Sequence, residues 1–153
     1  MCMHDLKINK VVRSISVIIC CAILCSLLSS CVTIGEKTYY KNEDNYITVT
    51  ATISYINIDY EYEEIFIRFD ELPEECGKNN NFSIRGKNYD IVIENGIEDK
   101  IQLEKEVTFC VAPAVMGNGY FVPIVSITVD DEVLLEYEEG KDNLVAEYWY
   151  MWY

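Results

Sequence analysis

This 153-residue chain contains a single histidine, His4, and the sequence after that position has none. Catalytic arrangements that pair histidine with serine or cysteine are therefore excluded there, as are zinc sites that use histidine. The chain also lacks a glycine-rich phosphate loop, a Gly-x-Ser-x-Gly turn and the spacing of an EF-hand. We expect no metal site, no other cofactor and no enzymatic activity.

Basic residues are scarce, since 12 Lys plus Arg stand against 26 Asp plus Glu, for a formal net charge of -14 at pH 7. Three of the basic residues, Lys7, Lys10 and Arg13, precede position 30, so the rest of the chain is more acidic still. A field of this sign repels phosphate backbones, and nucleic acid is not an expected partner. Solubility is the simpler reason for the acidity.

The three basic residues introduce an uncharged apolar run at residues 14–28. A basic start followed by such a run is typical of an export signal. The run is shorter than the roughly 20 apolar residues that a membrane-spanning helix needs. We therefore predict that residues 1–30 are a signal peptide and not a permanent transmembrane anchor.

The tetrapeptide Leu28-Ser29-Ser30-Cys31 resembles the lipobox of bacterial lipoproteins. The resemblance implies that the thiol of Cys31 receives a diacylglyceryl group and that the chain is cut just before it. The protein would then be held by lipid on the extracytoplasmic side of the cell membrane. Two acyl chains are needed, because each buried methylene contributes about 0.8 kcal/mol and one chain binds only marginally. The alternative is a buried cysteine behind an ordinary signal peptide.

Removal of the leader changes what the seven cysteines imply, because four lie within residues 1–30 and Cys31 carries the lipid. Only Cys76 and Cys110 are left as thiols. An exported domain can join two such cysteines in a disulfide, provided that their Cα atoms approach closely enough. The sequence is compatible with that disulfide and with two separate thiols.

Residues 31–44 are predicted to be the lipidated cysteine and a polar tether, and residues 45–153 a single domain. Alternating apolar and hydroxyl residues predict a strand from Ile47, and a slip in phase at Tyr55 and Ile56 predicts a bulge. Strands are also predicted at 64–69, 82–85, 107–111 and 122–129, with a hairpin extension through Val133, Leu135 and Tyr137. Helical spacing predicts a helix at 88–95, with Asn88 as its N-cap and Gly96 just after its end.

The order of three strands, one helix and two strands resembles the OB fold, a partly open five-stranded barrel. The expected fold class is mainly β, a small five-stranded OB-like barrel with one short helix between strands three and four. The alternative is a small β-sandwich. Residues 119–125 and 134–140 also resemble small lipoproteins of Gram-positive bacteria, which supports the predicted location.

OB folds often bind ligands on strands two and three and on the flanking loops. The second strand offers Phe66 and Arg68. Aromatic residues near predicted loops extend this candidate surface, and they are Tyr60, Tyr62, Tyr120 and Phe121. Such rings can hold a sugar or a peptide, although aromatic residues are also common structural residues of strands.

Residues 148–153 read Tyr-Trp-Tyr-Met-Trp-Tyr, with aromatic side chains on both faces of any strand. A strand of this sequence cannot bury all its rings on one side, and exposed apolar patches often mark interfaces. Trp149 and Trp152 are therefore candidates for docking to a partner or to the membrane interface. The alternative is a final element that folds across the open end of the barrel.

The leading functional hypothesis is a membrane-anchored module that binds a glycan, a peptide or an envelope protein. The aromatic residues 148–153 favour a second hypothesis, a structural subunit of a cell-envelope complex. A third is a glycan hydrolase with two catalytic carboxylates. Glu61, Glu63 and Glu64 lie too close in sequence to flank a bond by themselves.

Overall fold

The computed structural model describes residues 38–76, 80–113 and 121–147. Strands β1 to β6 cover Ile47–Asp59, Glu64–Asp70, Phe82–Arg85, Glu106–Val111, Val122–Val129 and Glu132–Leu135. Helices α1 to α3 cover Lys87–Glu94, Ile97–Lys100 and Tyr137–Glu147. Residues 38–41 form a helical turn, and 3-10 turns lie at Glu43–Asn45 and Glu74–Cys76.

The first five strands close into a barrel. β1 pairs antiparallel with β2 and β4, β2 pairs with β3, and β4 pairs with β5. A parallel pairing of β3 with β5 closes the ring, with Phe82 opposite Val122 and Ser83 opposite Pro123. β6 extends β5 as a hairpin outside the ring. The predicted fold class, a mainly β OB-like barrel with a helix between β3 and β4, is confirmed.

A bend in β1 lets one strand serve two neighbours. Its first half pairs with β4 and its second half with β2, and the register with β2 shifts between Ile53 and Tyr55. Ile53 points into the barrel before the shift, whereas Ile56 packs against the core after it. The bulge predicted from the change of phase is therefore present, and it turns the strand around the barrel.

Three phenylalanine rings fill the middle of the barrel. Phe69 stacks on Phe109 with ring centroids 4.1 Å apart, and Phe82 meets both rings edge-on at 5.4 and 5.5 Å. None of the three side chains is more than 1% exposed. The centre of the barrel is thus packed with side chains, and the surfaces that can meet a ligand lie on its outside.

A second buried cluster lies on the outer face of β4 and β5, beneath α3. Cys110 and Val125 supply its sheet side, Leu144 comes from α3, and Tyr40 comes from the helical turn at residues 38–41. Tyr40 is only 1% exposed. Residues 38–44, which were predicted to belong to the tether, therefore include a side chain packed against the domain. Helix α3 was not predicted, and Tyr137 is its first residue and does not extend the hairpin.

Cys76 and Cys110 lie in different clusters, one in the main core and one beneath α3. Both are buried free thiols, so the structure has the two separate cysteines and not the disulfide. Burial raises the pKa of each thiol above its ordinary value. The thiol form is therefore favoured at neutral pH, and neither cysteine has the character of a reactive nucleophile.

The predicted N-cap of α1 is wrong. Gly86 precedes the helix, at φ 57° and ψ -139°, and the Glu147 carboxylate accepts a 2.7 Å hydrogen bond from the Lys87 backbone N–H. Glu147 lies at the end of α3, 60 positions away in sequence, so no local pattern could reveal this cap. A Cβ at Gly86 would overlap the Glu147 carboxylate, which explains the glycine at this close approach.

Asn88 instead ties α1 to α3 from inside the helix. It is 5% exposed, its Nδ2 donates to the Gly140 carbonyl at 3.0 Å, and its Oδ1 accepts from Asn143 Nδ2 at 3.0 Å. At the other end of α1 the prediction is confirmed. Gly96 follows Asn95 in the left-handed region at φ 74° and ψ 37°.

Replacing Gly140 with alanine is predicted to destabilise the protein by about 2 kcal/mol or more. A Cβ at this position would overlap the backbone carbonyl of Val125, because α3 lies directly on β5 there. Alanine is otherwise better than glycine inside a helix by about 1 kcal/mol. A gain in the free energy of unfolding, measured by urea denaturation with circular dichroism, would contradict the close packing. Gly96→Asn is the control and should change stability much less, because a Cβ there meets only the Lys100 side chain at 3.9 Å and asparagine tolerates the left-handed backbone.

Glu147→Gln is predicted to become relatively more stabilising as the pH rises. Burial raises the pKa of Glu147, an effect that its hydrogen bond from Lys87 partly opposes. A carboxyl whose pKa is raised on folding binds protons more readily in the folded state, so its contribution to stability falls as pH increases through its titration.

The free energy of unfolding of wild type and Glu147→Gln is compared by urea denaturation from about pH 4 to about pH 7. The advantage of the glutamine variant should grow over this range. Glu147→Ala, which also loses the acceptor for the Lys87 N–H, should be less stable than Glu147→Gln by about 1 kcal/mol. A glutamine advantage that shrinks with pH would contradict the burial of this carboxylate.

Candidate functional site

Alternation along β2 places two of the predicted site residues on the outside of the barrel. Ile65 and Ile67 are fully buried, so Phe66 and Arg68 face outward. Strand pairing sets Tyr55 of β1 opposite Arg68 and Ser83 of β3 opposite Phe66. We call the outward surface formed by Tyr55, Phe66, Arg68, Arg85 and Phe121 the aromatic face.

The centre of the aromatic face is a pair of phenylalanine rings. Phe66 and Phe121 have ring centroids 4.4 Å apart at an interplanar angle of 48°. Phe121 is 37% exposed and immediately precedes β5, where Val122 pairs with Phe82 of β3. The closure of the barrel therefore joins two residues that the sequence could only assign separately to a strand and to a loop.

Arg68 presents its positive charge beside this pair. Its guanidinium carbon lies 5.3 Å from the centroid of the exposed Tyr55 ring, and its Nε donates a 2.9 Å hydrogen bond to Asn81 Oδ1. Within the part of the chain that the structure describes, Arg68 forms no salt bridge with a carboxylate. The side chain is oriented by the ring and the amide, and its other N–H groups can serve a ligand.

Arg85 is the second arginine on the aromatic face, and its charge is balanced locally. Its Nη2 lies 3.0 Å from Glu64 Oε1 and donates to Ser83 Oγ at 3.1 Å. Both arginines of the described residues thus lie on one surface of a strongly acidic protein. Sequence reasoning missed Tyr55 and Arg85, although the alternation of β1 and β3 beside β2 is the signal that places them there.

Tyr60 and Tyr62 occupy the turn between β1 and β2. Asp59 Oδ1 organises this turn by accepting 3.0 Å hydrogen bonds from the backbone N–H of Glu61 and of Tyr62. The Tyr60 hydroxyl donates to Glu98 Oε1 at 2.6 Å, and this hydrogen bond raises the pKa of Tyr60.

The two turn tyrosines are exposed at 66% and 74%, respectively. Among the described residues, no ring contact joins either of them to Phe66 or Phe121. They are therefore not part of the ring pair of the aromatic face. The remaining predicted site residues, Cys31, Tyr120, Trp149 and Trp152, lie outside the described residues.

The glutamates considered for a hydrolase lie within the described residues, and the surroundings of two of them are clear. Glu64 forms a salt bridge with Arg85, and Glu61 lies in the exposed turn after β1. No group of three or more His, Cys, Asp or Glu side chains in these ranges is placed to hold a metal ion. The chemistry that the aromatic face offers is stacking and hydrogen-bond donation.

A polar depression of about 270 Å³ also lies on the barrel, and no pattern in the sequence predicted it. Thr50, Thr108 and Thr128 occupy opposed positions on β1, β4 and β5, with the first two hydroxyl oxygens 2.8 Å apart. An ion pair between Lys105 and Asp130 lies at its edge. Its lining offers hydroxyls and carboxylates but no aromatic ring. The residues around it are Thr50, Lys105, Glu106, Val107, Thr108, Thr128, Asp130 and Asp131.

Comparisons of the chain with protein-family models, curated proteins and solved structures give no match. Among the described residues, the helices are too short or too polar to cross a bilayer. The candidate site therefore depends on the geometry of the barrel and its outward side chains.

Proposed function

We propose that this protein is a lipid-anchored binding module on the extracytoplasmic side of the cell membrane, and that its aromatic face binds an uncharged glycan of the cell envelope. The observation that carries the proposal is the outward-facing ring pair of Phe66 and Phe121 beside Arg68, which forms no salt bridge with a carboxylate of the described residues. The surface lies on β2 and the adjoining strands, where OB folds bind extended ligands.

Aromatic rings and a guanidinium together can bind both the apolar C–H face and the hydroxyl groups of a sugar. The flat rings pack against the apolar C–H face of a pyranose, while Arg68 donates hydrogen bonds to hydroxyl oxygens at the rim. The open outward surface, with the barrel interior already filled by phenylalanines, fits a segment of a longer chain better than an enclosed small molecule.

The charge distribution favours an uncharged ligand over a polyanion. Of the two arginines on the aromatic face, Arg85 is paired with Glu64, whereas Arg68 has no carboxylate partner within residues 38–76, 80–113 and 121–147. One such contact is too few for a phosphate backbone, whose binding needs several neutralising cations. A net charge of -14 would repel such a ligand further.

The Leu28-Ser29-Ser30-Cys31 tetrapeptide supports the location. A module anchored in this way would meet glycans of the envelope at short range, because the lipid restricts it to the membrane surface. The aromatic sequence at residues 148–153 keeps a second candidate function open, a structural subunit that docks onto another envelope protein.

Cys31→Ser is predicted to abolish membrane attachment through lipid. The variant should no longer incorporate labelled palmitate. Its mass should correspond to the chain with the leader still attached, because the cleavage that depends on the lipid no longer occurs. Cell fractionation, metabolic labelling and mass spectrometry of the N-terminus measure these outcomes. Cys76→Ser is the matched control and should leave lipid incorporation unchanged. A Cys31→Ser protein that still incorporates palmitate and is cut at its original position would refute the anchor.

Joint replacement of Phe66 and Phe121 by alanine is predicted to weaken glycan binding about tenfold or more, and Arg68→Gln to weaken it less. The measurement uses a glycan array and peptidoglycan pull-down, followed by calorimetry with the best glycan fragment. Leu103→Ala is the control, because Leu103 is 59% exposed and is not one of the residues that form the aromatic face. Unchanged binding in the double variant would exclude this site, and loss through Thr108→Ala would assign binding to the polar depression. Glycan turnover that disappears in Glu64→Gln would instead support the hydrolase.

A further inference from the structure

Asn57 lies on β1 next to the aromatic face and carries an amide without a partner among the described residues. Strand pairing sets it directly opposite Phe66, so the two side chains point to the same outer side of the sheet. Cβ atoms of such a pair are about 5 Å apart. Asn57 is exposed, and its side chain forms no hydrogen bond within residues 38–76, 80–113 and 121–147.

The polar neighbours of Asn57 are engaged by other groups. Asp59, two residues along the strand, accepts hydrogen bonds from two backbone N–H groups of the turn that follows it. Arg68 lies over the Tyr55 ring and donates to Asn81. These contacts leave the N–H and C=O groups of the Asn57 amide available to a ligand.

Asn57 and Phe121 flank Phe66 from opposite sides. The two neighbours of β2 in the sheet are β1 and β3. Asn57 belongs to β1, whereas Phe121 directly precedes Val122, which pairs with Phe82 of β3. A sugar ring packed on Phe66 would therefore have a carboxamide at one edge and the second aromatic ring at the other.

A carboxamide beside an aromatic ring is complementary to the acetamido group of an N-acetylated sugar. The Asn57 amide can donate to the acetamido C=O or accept from its N–H. The acetamido methyl group is apolar, and contact with the Phe66 ring removes it from water. A hydroxyl at the same carbon of the sugar reaches less far and has no methyl group to bury.

Charge also favours an acetylated sugar over a free amino sugar at this position. The acetamido group is neutral, as is the Asn57 amide that would bind it. A free amine would be cationic, and the net charge of -14 would attract it to many carboxylates without regard to Asn57. The amide therefore adds selectivity for a neutral group, which the overall charge of the protein cannot provide.

We propose that Asn57 is a specificity-determining residue of the aromatic face and that it hydrogen-bonds to the acetamido group of a sugar packed on Phe66. This inference rests on the proposed glycan-binding function and narrows its ligand to glycans that contain an N-acetylhexosamine. The rings of Phe66 and Phe121 then supply most of the affinity, and Asn57 supplies the preference between sugars.

Two tetrasaccharides with the same β-1,4-linked glucose backbone make the proposal measurable. Chitotetraose has an acetamido group where cellotetraose has a hydroxyl, and neither is charged. Full-chain protein in a detergent without a sugar headgroup is titrated with each tetrasaccharide by calorimetry. Wild type should bind chitotetraose about tenfold more tightly than cellotetraose.

Asn57→Ala should weaken chitotetraose binding about tenfold and leave cellotetraose binding within about twofold. Asn57→Thr, which favours a strand but lacks the amide, should do the same. Gln102→Ala is the matched control, because it removes an exposed carboxamide in the loop between α2 and β4. It should leave both affinities unchanged. Circular dichroism should show the wild-type unfolding transition in all three variants, since both positions are exposed.

The outcomes separate this inference from the glycan function. Equal affinity of wild type for both tetrasaccharides, with binding lost in the Phe66 and Phe121 double variant, would keep the glycan function and overturn the inference. Equal loss of both ligands in the Asn57 variants, or loss of the preference in Gln102→Ala, would also overturn it. If neither tetrasaccharide binds, the inference fails, and the glycan function fails with it only if the glycan array is also blank.

Discussion

The parallel pairing of β3 with β5 is the constraint on which the rest of this molecule depends. Without it, the antiparallel pairs would form an open sheet with unpaired edges at β3. With it, Phe82 is brought over the Phe69 and Phe109 stack, and the start of β5 is brought beside β2. The same closure that completes the core therefore also completes the pair of rings on the outer surface.

Helix α3 holds together the elements that pack on the outside of the barrel, whereas the pairing of β3 with β5 closes the barrel itself. It approaches β5 at Gly140, supplies the acceptor for α1 through Glu147, and bonds residues 38–46 through Lys141. Hydrogen bonds to Glu138 and Glu43 raise the pKa of Lys141, so its charge is held throughout the physiological range. These contacts hold α1, β5 and residues 38–46 together on one side of the barrel.

Period-two alternation predicted the strands, and the order of strands and helix resembled the OB fold, with a small β-sandwich as the alternative. Alternation also predicted that Phe66 and Arg68 belong to a surface. It could not join Phe66 to Phe121, since that contact depends on closure, nor identify Glu147 as a cap 60 residues away. Helix α3 was missed because its apolar residues are few, and its stability comes from packing on Val125 and Tyr40.

The ring pair of the aromatic face also has a structural explanation, since it packs where β2 approaches the start of β5. Arg68 is the residue that this explanation does not account for. Packing between β2 and β5 requires apolar contact, and Phe66 and Phe121 provide it by contacting each other. Phe121 nevertheless stays 37% exposed. Arg68 adds little to that packing, yet Tyr55 and Asn81 hold it in one orientation. Carboxylates outnumber cations in the chain by more than two to one, yet none of the described carboxylates forms a salt bridge with Arg68. This guanidinium, together with the rings, is the physical argument for a binding surface.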